Sequence, residues 1–264
     1  AAPKVVPKAS IFPKTQEVPE TPDPLLVSIL RTRRRHGTTG DMNFRLWLHS
    51  ELRRLGCTVE VAVHGNTIVR TDEKSDTLFS CHVDTCHSEK ESDGTSQLLS
   101  YDPTMGHLFL APQQEKPAGC LGADDGVGIY IMLKMIAAKV PGTYVFHTAE
   151  EVGGQGAKAM LTSRKDWLAQ FSRAVAFDRP NTTEVIVTQG GLDCASVEAG
   201  EALCLALNEH GMDFTVSHRG VFTDTKVYAG VIEECFNIGV GYWDQHTPKE
   251  CLDVAHTEAL LAAC

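Results

Sequence analysis

Five short segments carry side chains that could bind metal ions or move protons, and nearly all of them follow an apolar run typical of a β-strand. They are SCHVD (80–84), GADD (122–125), AEE (149–151), FD (177–178) and HTP (246–248). In an α/β protein, the carboxyl ends of parallel strands meet at one edge of the sheet. Carboxylates and histidines gathered there could hold two metal ions that assist a hydrolysis. The order of the segments therefore predicts a two-metal hydrolytic site.

His82 and Asp84 end the first apolar run. Positions two apart on a strand share a face, so His82 could bind a metal while Asp84 accepts the other ring N–H. A carboxylate behind a ligating histidine fixes its tautomer and raises its basicity. The alternative is a structural His–Asp hydrogen bond at the end of a strand.

Asp124 and Asp125 stand directly before a strongly apolar helical pattern. Acidic residues there could simply cap the helix, which the helix dipole favours. A carboxylate at this position could also bridge two cations, and the flanking glycines Gly122 and Gly126 permit the tight turn that this needs. Both interpretations stay open at this point.

Glu150 and Glu151 follow a third apolar run. Two adjacent carboxylates repel unless a cation or a proton intervenes. One could bind metal while the other acts as general base; a solvated acidic loop is the alternative. Asp178 ends a fourth run, and His246 lies in a loop after a fifth. Neither is specific alone, but the five segments together favour the metal interpretation.

These motifs resemble those of the co-catalytic zinc exopeptidases, which include tripeptidase-like and aminoacylase-like enzymes and the single-domain aminopeptidases. The likeness runs from about residue 41 to residue 264. The resemblance implies that two Zn²⁺ ions are bound, with Co²⁺ or Mn²⁺ as alternatives. It implies that His82 and Asp178 bind one ion, that Glu151 and His246 bind the other, and that Asp124 bridges the two.

The same resemblance implies the remaining roles. Glu150 would be the general base, and Asp84 would sit behind the ligating histidine. The peptide bond between Asp124 and Asp125 would be cis. Gly126 stands where many tripeptidase-like members have lysine, so any role of that lysine is missing or replaced in this chain.

Composition limits the classes of partner. The chain has 264 residues and a net charge of −10, which argues against a nucleic-acid or anionic-membrane surface. We expect no membrane segment, no signal peptide and a cytoplasmic location. The basic run 31–36 is interpreted as a solvated helix end. The nine cysteines show no CxxC pattern, and several of them, in apolar runs, are interpreted as small buried hydrophobes in a reducing compartment. A soft-metal or redox role for Cys81 and Cys86 is the less favoured alternative.

Alternating strand and helix patterns predict an α/β fold, with a mixed, mostly parallel sheet and helices on both faces. Residues 1–26 are predicted to be a proline-rich extended arm, and 27–264 a single catalytic domain. The 67 residues between Asp178 and His246 leave no room for a separate lid domain. Strands are predicted at 58–63, 66–71, 77–83, 107–111, 143–148, 173–177, 184–189, 213–217 and 235–241. Helices are predicted at 42–55, 125–139, 155–170, 193–207 and 249–263.

Three functions fit these residues. The first is a di-zinc metallopeptidase, an exopeptidase of the aminopeptidase or tripeptidase kind acting on short peptides. The second is an amidohydrolase that removes the acyl group of an N-acyl amino acid. The third is an inactive binding or structural module. An acidic side chain would bind a free amine and an arginine a carboxylate; Arg179, Arg219 and Asp244 are the candidates. The glycines 190–191 and the loop 221–225 could line the substrate cleft. The sequence leaves the oligomeric state open.

Overall fold

The computed structural model describes residues 18–88, 90, 94, 96–112 and 119–264. The helices are α1 Pro24–Leu30, α2 Thr39–Arg54, α3 Ala123–Ala137, α4 Gln155–Ser163, α5 Lys165–Leu168, α6 Val197–Asn208, α7 Asp224–Tyr228 and α8 Val254–Ala263. The strands are β1 Glu60–Val61, β2 Thr67–Arg70, β3 Thr77–His82, β4 Leu99–Asp102, β5 His107–Leu110, β6 Thr143–His147, β7 Arg173–Arg179, β8 Glu184–Ile186, β9 Thr188–Gln189, β10 Leu192–Asp193, β11 Thr215–Ser217, β12 Glu234–Gly239, β13 Tyr242–Trp243 and β14 Cys251–Asp253.

An eight-stranded sheet forms the centre of the fold, in the order β1-β2-β6-β3-β7-β12-β8-β11. The four central strands β6, β3, β7 and β12 run parallel to one another, and β11 runs parallel to β8. The remaining pairs, β1–β2, β2–β6 and β12–β8, are antiparallel. The predicted mixed, mostly parallel sheet is confirmed, and the described residues contain no separate lid domain.

Helices cover both faces of this sheet because side chains alternate along its buried strands. In β6, Tyr144 and Phe146 join a core cluster with α1, α2, α3 and α8. Val145 between them points to a second cluster with α4, α5 and α7. Helix α3 is nearly all apolar and is buried along most of its length, as an inner helix of such a fold should be.

A smaller antiparallel sheet, in the order β13-β14-β5-β4, stands beside the central one. Strands β13 and β14 form a hairpin with Tyr242 opposite Leu252 and Trp243 opposite Cys251. The loop of this hairpin carries the predicted ligand His246. The small sheet therefore positions one side of the candidate site.

Two helix predictions differ from the structure. The helix predicted at 249–263 begins at Val254, because 251–253 pair with β5 as a strand, and Asp253 caps the helix by accepting from the His256 backbone N–H at 2.9 Å. The helix predicted at 155–170 breaks at Arg164, whose φ of −136° is not helical. The strand at 251–253 depends on pairing with a distant segment, which a local apolar pattern cannot reveal.

The basic run 31–36 is not the solvated helix end that its charge suggested. Arg34 is fully buried and Arg33 nearly so. The Arg34 guanidinium donates to the backbone carbonyls of Val83, Ile29 and Gly122 at 2.9, 2.9 and 3.2 Å. Arginine offers five donors in a rigid fork, so one side chain ties α1 to the loops that follow β3 and precede α3.

The predicted arm is described only from residue 18; residues 1–17 lie outside the described residues. The Tyr101 hydroxyl donates to the Pro19 carbonyl at 2.6 Å, and Lys134 pairs with Asp23 at 2.7 Å. Pro24, inside the predicted arm, is the first residue of α1. The last part of the predicted arm is thus attached to the body of the protein.

None of the helices in the described ranges combines the length and the apolar content that crossing a membrane requires. All nine cysteines are free thiols. The expectation that several are small buried hydrophobes is confirmed. The buried ones are Cys81, Cys120, Cys194, Cys204 and Cys235.

Candidate metal centre

All five predicted ligands lie at one edge of the central sheet. His82 is the last residue of β3, and Asp178 is next to last in β7. Glu151 follows β6, Asp124 begins α3, and His246 comes from the β13–β14 hairpin. Because β6, β3 and β7 run parallel, their carboxyl ends bring these side chains together.

Asp124 occupies the middle of the cluster. Its Oδ1 lies 3.0 Å from His82 Nε2, and its Oδ2 lies 3.1 Å from His246 Nε2. His82 Nε2 is also 3.6 Å from Asp178 Oδ1, and His246 Nε2 is 3.0 Å from Glu151 Oε1. One carboxylate thus faces two histidines, each of which has a second carboxylate beside it. This is the arrangement that two cations bridged by one aspartate would need.

The His82 ring is fixed by a backbone carbonyl. Its Nδ1 lies 3.0 Å from the Asp84 carbonyl oxygen; since a carbonyl only accepts, Nδ1 carries the proton. Nε2, which faces Asp124 and Asp178, is therefore the ring nitrogen that would lose its proton and bind a metal.

The predicted role of the Asp84 carboxylate as acceptor for the His82 ring is wrong. Its Oδ1 is 3.9 Å from Nδ1. Its two oxygens instead accept the backbone N–H groups of Glu150 and Glu151, at 3.1 and 3.2 Å. Asp84 therefore orients the loop that carries both glutamates. Ala149 before them has φ of 61°, a left-handed conformation that is uncommon for a residue with a side chain.

The two adjacent aspartates have different partners. Asp125 accepts the backbone N–H of His82 at 3.1 Å and that of Gly128 at 3.0 Å, which is the capping role weighed above. Asp124 is left to face the histidines. The peptide bond between the two aspartates is cis, as the resemblance implied.

Glu250 supports the same turn, and sequence reasoning missed it. It is 1% exposed. Its carboxylate accepts the backbone N–H groups of Leu121, Gly122 and Asp124 at 2.8, 3.0 and 3.0 Å. It stands four residues after His246, so one carboxylate joins the loop of one predicted ligand to the turn of another. An acidic residue so close to the HTP motif was the signal that could have found it.

Asp178 is held by its neighbours in the sheet. Asn237 in β12 accepts the Asp178 backbone N–H at 3.0 Å and donates to its carbonyl at 2.9 Å. The Tyr242 hydroxyl donates to Asp178 Oδ1 at 3.2 Å. His246, by contrast, is 46% exposed at its side chain and has φ of 62°. One end of the site is therefore buried, and the other lies on a strained surface turn.

Burial and charge shift the protonation equilibria of the cluster. Burial raises the pKa of Glu150 to about 10, helped by Asp178 and Asp124. Burial and then Asp124 raise the pKa of Asp178 to about 6. Burial opposes charge on His82, but Asp178 and Asp124 outweigh it and hold the pKa of His82 well above its ordinary value. The carboxylates repel one another, so bound positive charge would stabilise the cluster.

The donor set fits divalent cations. Glu151 Oε1 is buried and makes no hydrogen bond, although the ring nitrogen of His246 lies beside it. Three overlapping groups offer three ligand atoms within 4.8 Å of one another: Cys86–Glu151–His246, His82–Asp124–Glu151 and His82–Asp125–Asp178. Imidazole nitrogen, carboxylate oxygen and thiolate sulfur are all ligands that zinc accepts.

A cavity of about 380 Å³ opens over the cluster. Four carboxylates line it: Asp124, Glu150, Glu151 and Asp178. Val221 and Phe222 of the predicted cleft loop also line it, whereas 190–191 do not. Tyr242 reaches the cavity but Trp243 does not. The pocket is therefore acidic where the ligands lie and apolar on the side of the 221–222 loop.

Of the three residues predicted to grip a substrate terminus, Arg179 alone lines this cavity. Its guanidinium is engaged by Glu184, with contacts of 2.9 and 2.6 Å. Arg219 also pairs with Glu184. Asp244 is exposed and outside the lining. Both arginines are therefore already paired with a carboxylate.

Comparison with known proteins gives structural matches alone. No protein-family model and no curated protein sequence matches this chain. Among solved structures, aminopeptidase PepT from Bacillus cereus aligns with a TM-score of 0.68 and 16% identity, over 90% of this chain and 95% of that one. A tripeptidase from Staphylococcus aureus aligns with a TM-score of 0.68 and 12% identity, over 90% and 94%. An aminopeptidase from the archaeon Desulfurococcus kamchatkensis aligns with a TM-score of 0.65 and 16% identity, over 90% and 92%.

At this level of identity the matches establish the fold. The chain has the α/β architecture of these aminopeptidases and of the tripeptidase, over nearly the full length of each. The narrower resemblance to aminoacylase-like enzymes or to single-domain aminopeptidases stays a prediction. The activity of this chain has to be argued from its own side chains.

Proposed function

We propose that this protein is a metal-dependent exopeptidase that binds two divalent cations, most simply Zn²⁺, and cleaves short peptides. The observation that carries the proposal is the placement of Asp124, whose two carboxylate oxygens face His82 and His246 at 3.0 and 3.1 Å. His82, Asp124 and Asp178 would hold one ion. Asp124, Glu151 and His246 would hold the other. Residues 27–264 would form the catalytic unit.

Bound cations would polarise the scissile carbonyl and assist activation of water. Glu150 would act as the general base: its carboxylate would take the proton of the attacking water and pass it to the departing amine nitrogen. Burial, helped by the neighbouring carboxylates, raises the pKa of Glu150 to about 10. Cations on Asp124 and Asp178 would replace the repulsion from those carboxylates by attraction, which lowers this pKa and favours the ionised form that accepts a proton.

The charge of the cavity favours a substrate with a free amino terminus. Its lining contains four carboxylates, and its one arginine, Arg179, is already paired with Glu184. With cations on Asp124, Glu151 and Asp178, Glu150 would be the remaining free carboxylate of the lining. A substrate carboxylate would find no uncommitted guanidinium among the described residues there, while an ammonium group could approach Glu150. This supports aminopeptidase or tripeptidase activity over removal of the acyl group from an N-acyl amino acid, which remains the second candidate.

Metal analysis joined to a substrate panel tests the proposal. Purified protein equilibrated with Zn²⁺ should hold two ions per chain and should release the first residue of dipeptides and tripeptides. Amino-terminal acetylation of the same peptides should abolish turnover. Faster turnover of N-acyl amino acids would favour the deacylase. Two bound ions with no turnover on either panel would favour an inactive module.

A further inference from the structure

Cys86 contacts the candidate metal centre, although the resemblance gives it no role. Its Sγ lies 2.9 Å from Glu151 Oε2. Its sulfur, a Glu151 oxygen and a His246 nitrogen lie within 4.8 Å of one another. Ligands 2.0–2.3 Å from a tetrahedral zinc lie roughly 3.3–3.8 Å apart, so a small adjustment would bring the three around one ion.

Glu151 points independently to a ligand at this place. Its side chain is 8% exposed, and its Oε1 makes no hydrogen bond. His246 Nε2 lies 3.0 Å from this oxygen without making a hydrogen bond to it, and a buried carboxylate oxygen costs free energy unless a proton, a donor or a cation satisfies it. The oxygen faces the group that contains Cys86 and His246, so a cation bound there would satisfy it.

The backbone on both sides of Cys86 is fixed. Thr85 and His87 are 1% and 0% exposed. Thr85 Oγ1 lies 2.7 Å from His87 Nδ1, and His87 Nε2 lies 3.1 Å from Gln97 Oε1. Two anchored neighbours hold the sulfur near the glutamate, so its position does not depend on a mobile loop.

We propose that Cys86 is a sulfur ligand of the cation bound by Glu151 and His246. The inference rests on the proposed function, because it assumes that this cluster holds metal. On binding, the thiol would release its proton to solvent and the sulfur would donate an electron pair to the ion, with no change in oxidation state. With Asp124 as the fourth ligand, this ion would have a closed protein shell, and the position open to substrate would belong to the His82–Asp178 side.

Cobalt substitution tests this assignment by spectroscopy. Co²⁺-loaded wild type should show a sulfur-to-cobalt charge-transfer band in the near ultraviolet. Cys86→Ser should lose that band. The affinity of this variant for the ion bound by Glu151 and His246 should fall at least about tenfold, because loss of a residue that merely hydrogen-bonds a metal ligand already has an effect of this size. Cys264→Ser is the matched control, since Cys264 is also an exposed free thiol; it should keep both the band and the affinity.

The outcomes separate this inference from the proposed function. Two bound Co²⁺ ions without the band, or a band that persists in C86S, would overturn the sulfur ligand and leave the metal centre intact. Wild type that binds no Co²⁺ would overturn both.

A labelling measurement avoids any folding defect of the variant. Zn²⁺ should protect Cys86 of the wild type from iodoacetamide, compared with the same protein freed of metal by a chelator. Unchanged labelling of Cys86 by protein that carries two Zn²⁺ ions would also overturn the assignment.

Discussion

Glu150 and Glu151 are adjacent residues to which different tasks are proposed, and this division is testable residue by residue. Glu150→Gln should lower kcat by roughly 10²–10⁴, the usual contribution of general acid–base catalysis, while both ions stay bound. Glu151→Gln should lose one ion, because an amide is a poor replacement for an anionic ligand. Metal content per chain and kcat on a tripeptide give both quantities.

The Glu150 and Glu151 variants control each other, since they sit on the same loop and remove the same charge. Far-ultraviolet circular dichroism of both should match the wild type. Loss of metal in E150Q with retention in E151Q would show that the two assignments are exchanged.

At the residue scale, the sequence predicted which candidate ligands would lie close together, but it did not predict which other groups hold those ligands in position. Ligand types at strand ends are readable, because parallel strands share one edge. The hydrogen-bond partners of Asp84 could not be predicted from the sequence. The alternation of side chains along a strand pairs Asp84 with His82, whereas the fold brings the backbone N–H of Glu150 closer to its carboxylate. Glu250 and Arg34 bind backbone groups of distant segments, and backbone groups carry no sequence signal.

At the scale of elements, Asn237 joins β12 to β7. The register between these two strands shifts just after it, between Asn237 and Gly239. Asn237→Ala would remove two hydrogen bonds to the Asp178 backbone, so we expect a loss of about 1–3 kcal/mol in the free energy of unfolding. Affinity for metal should fall as well, because Asp178 would lose its alignment. Denaturant titration and a zinc competition assay measure the two effects.

Asn208 offers a matched control for Asn237. It makes the same pair of backbone hydrogen bonds, with Phe214, at 2.9 and 2.7 Å, outside the cavity lining. Asn208→Ala should lower stability by a similar amount without changing metal affinity. Equal losses of metal affinity in both variants would contradict the positioning role of Asn237.

Glu184 connects three strands and should make stability depend on acid. It starts β8 and binds Arg179 of β7 and Ser217 of β11, along with Arg219. Burial alone would raise its pKa, but the arginines and Asn181 outweigh this and lower the pKa to about 2. Because the folded value lies below the unfolded value of 4.5, this stabilisation is present above about pH 4.5 and is lost as the pH falls toward 2.

Glu184→Gln should therefore lower the free energy of unfolding by about 1–3 kcal/mol near neutral pH. The deficit should shrink below pH 4. Urea titrations between pH 2 and 7 measure it, with the exposed Glu201→Gln as the control for loss of one negative charge. A deficit that stays constant across this range would show that Glu184 acts through shape alone.

Helices and strands of the central sheet were predictable because their apolar periods agree with their final burial. The prediction failed where an element depends on a distant partner. Strand β14 pairs with β5 and β13, and among the described residues β4 pairs only with β5. Neither strand is marked by a strong local pattern.

For the whole molecule, helix α1 is essential to the core. Deleting residues 1–30 would remove Leu26, Ile29 and Leu30, each with 0% exposure. At about 1.5–3 kcal/mol for each buried side chain, that loss approaches the whole stability of an ordinary domain.

Thermal melting of a chain that lacks residues 1–30 checks the role of α1. Steady-state kinetics of a chain that lacks residues 1–17 tests the proline-rich arm separately. If the proline-rich arm contributes to the cleft, deleting residues 1–17 should change KM more than kcat, because remote contacts supply uniform binding. Unchanged KM and kcat would show that the arm takes no part in the cleft, and an unchanged melting temperature without residues 1–30 would contradict the role of α1.

The contact between Glu250 and the turn at Asp124 also sets an order of events during synthesis. A domain generally folds as a unit during synthesis, so elements made early wait for partners made later. The turn must wait for its acceptor while more than a hundred further residues are translated, and β12, which lies beside β7 in the middle of the sheet, is also made late. A nascent chain that ends before residue 250 contains His82 and Asp178 but lacks the carboxylate that aligns Asp124. The candidate metal centre therefore becomes complete only after residue 250 has been translated.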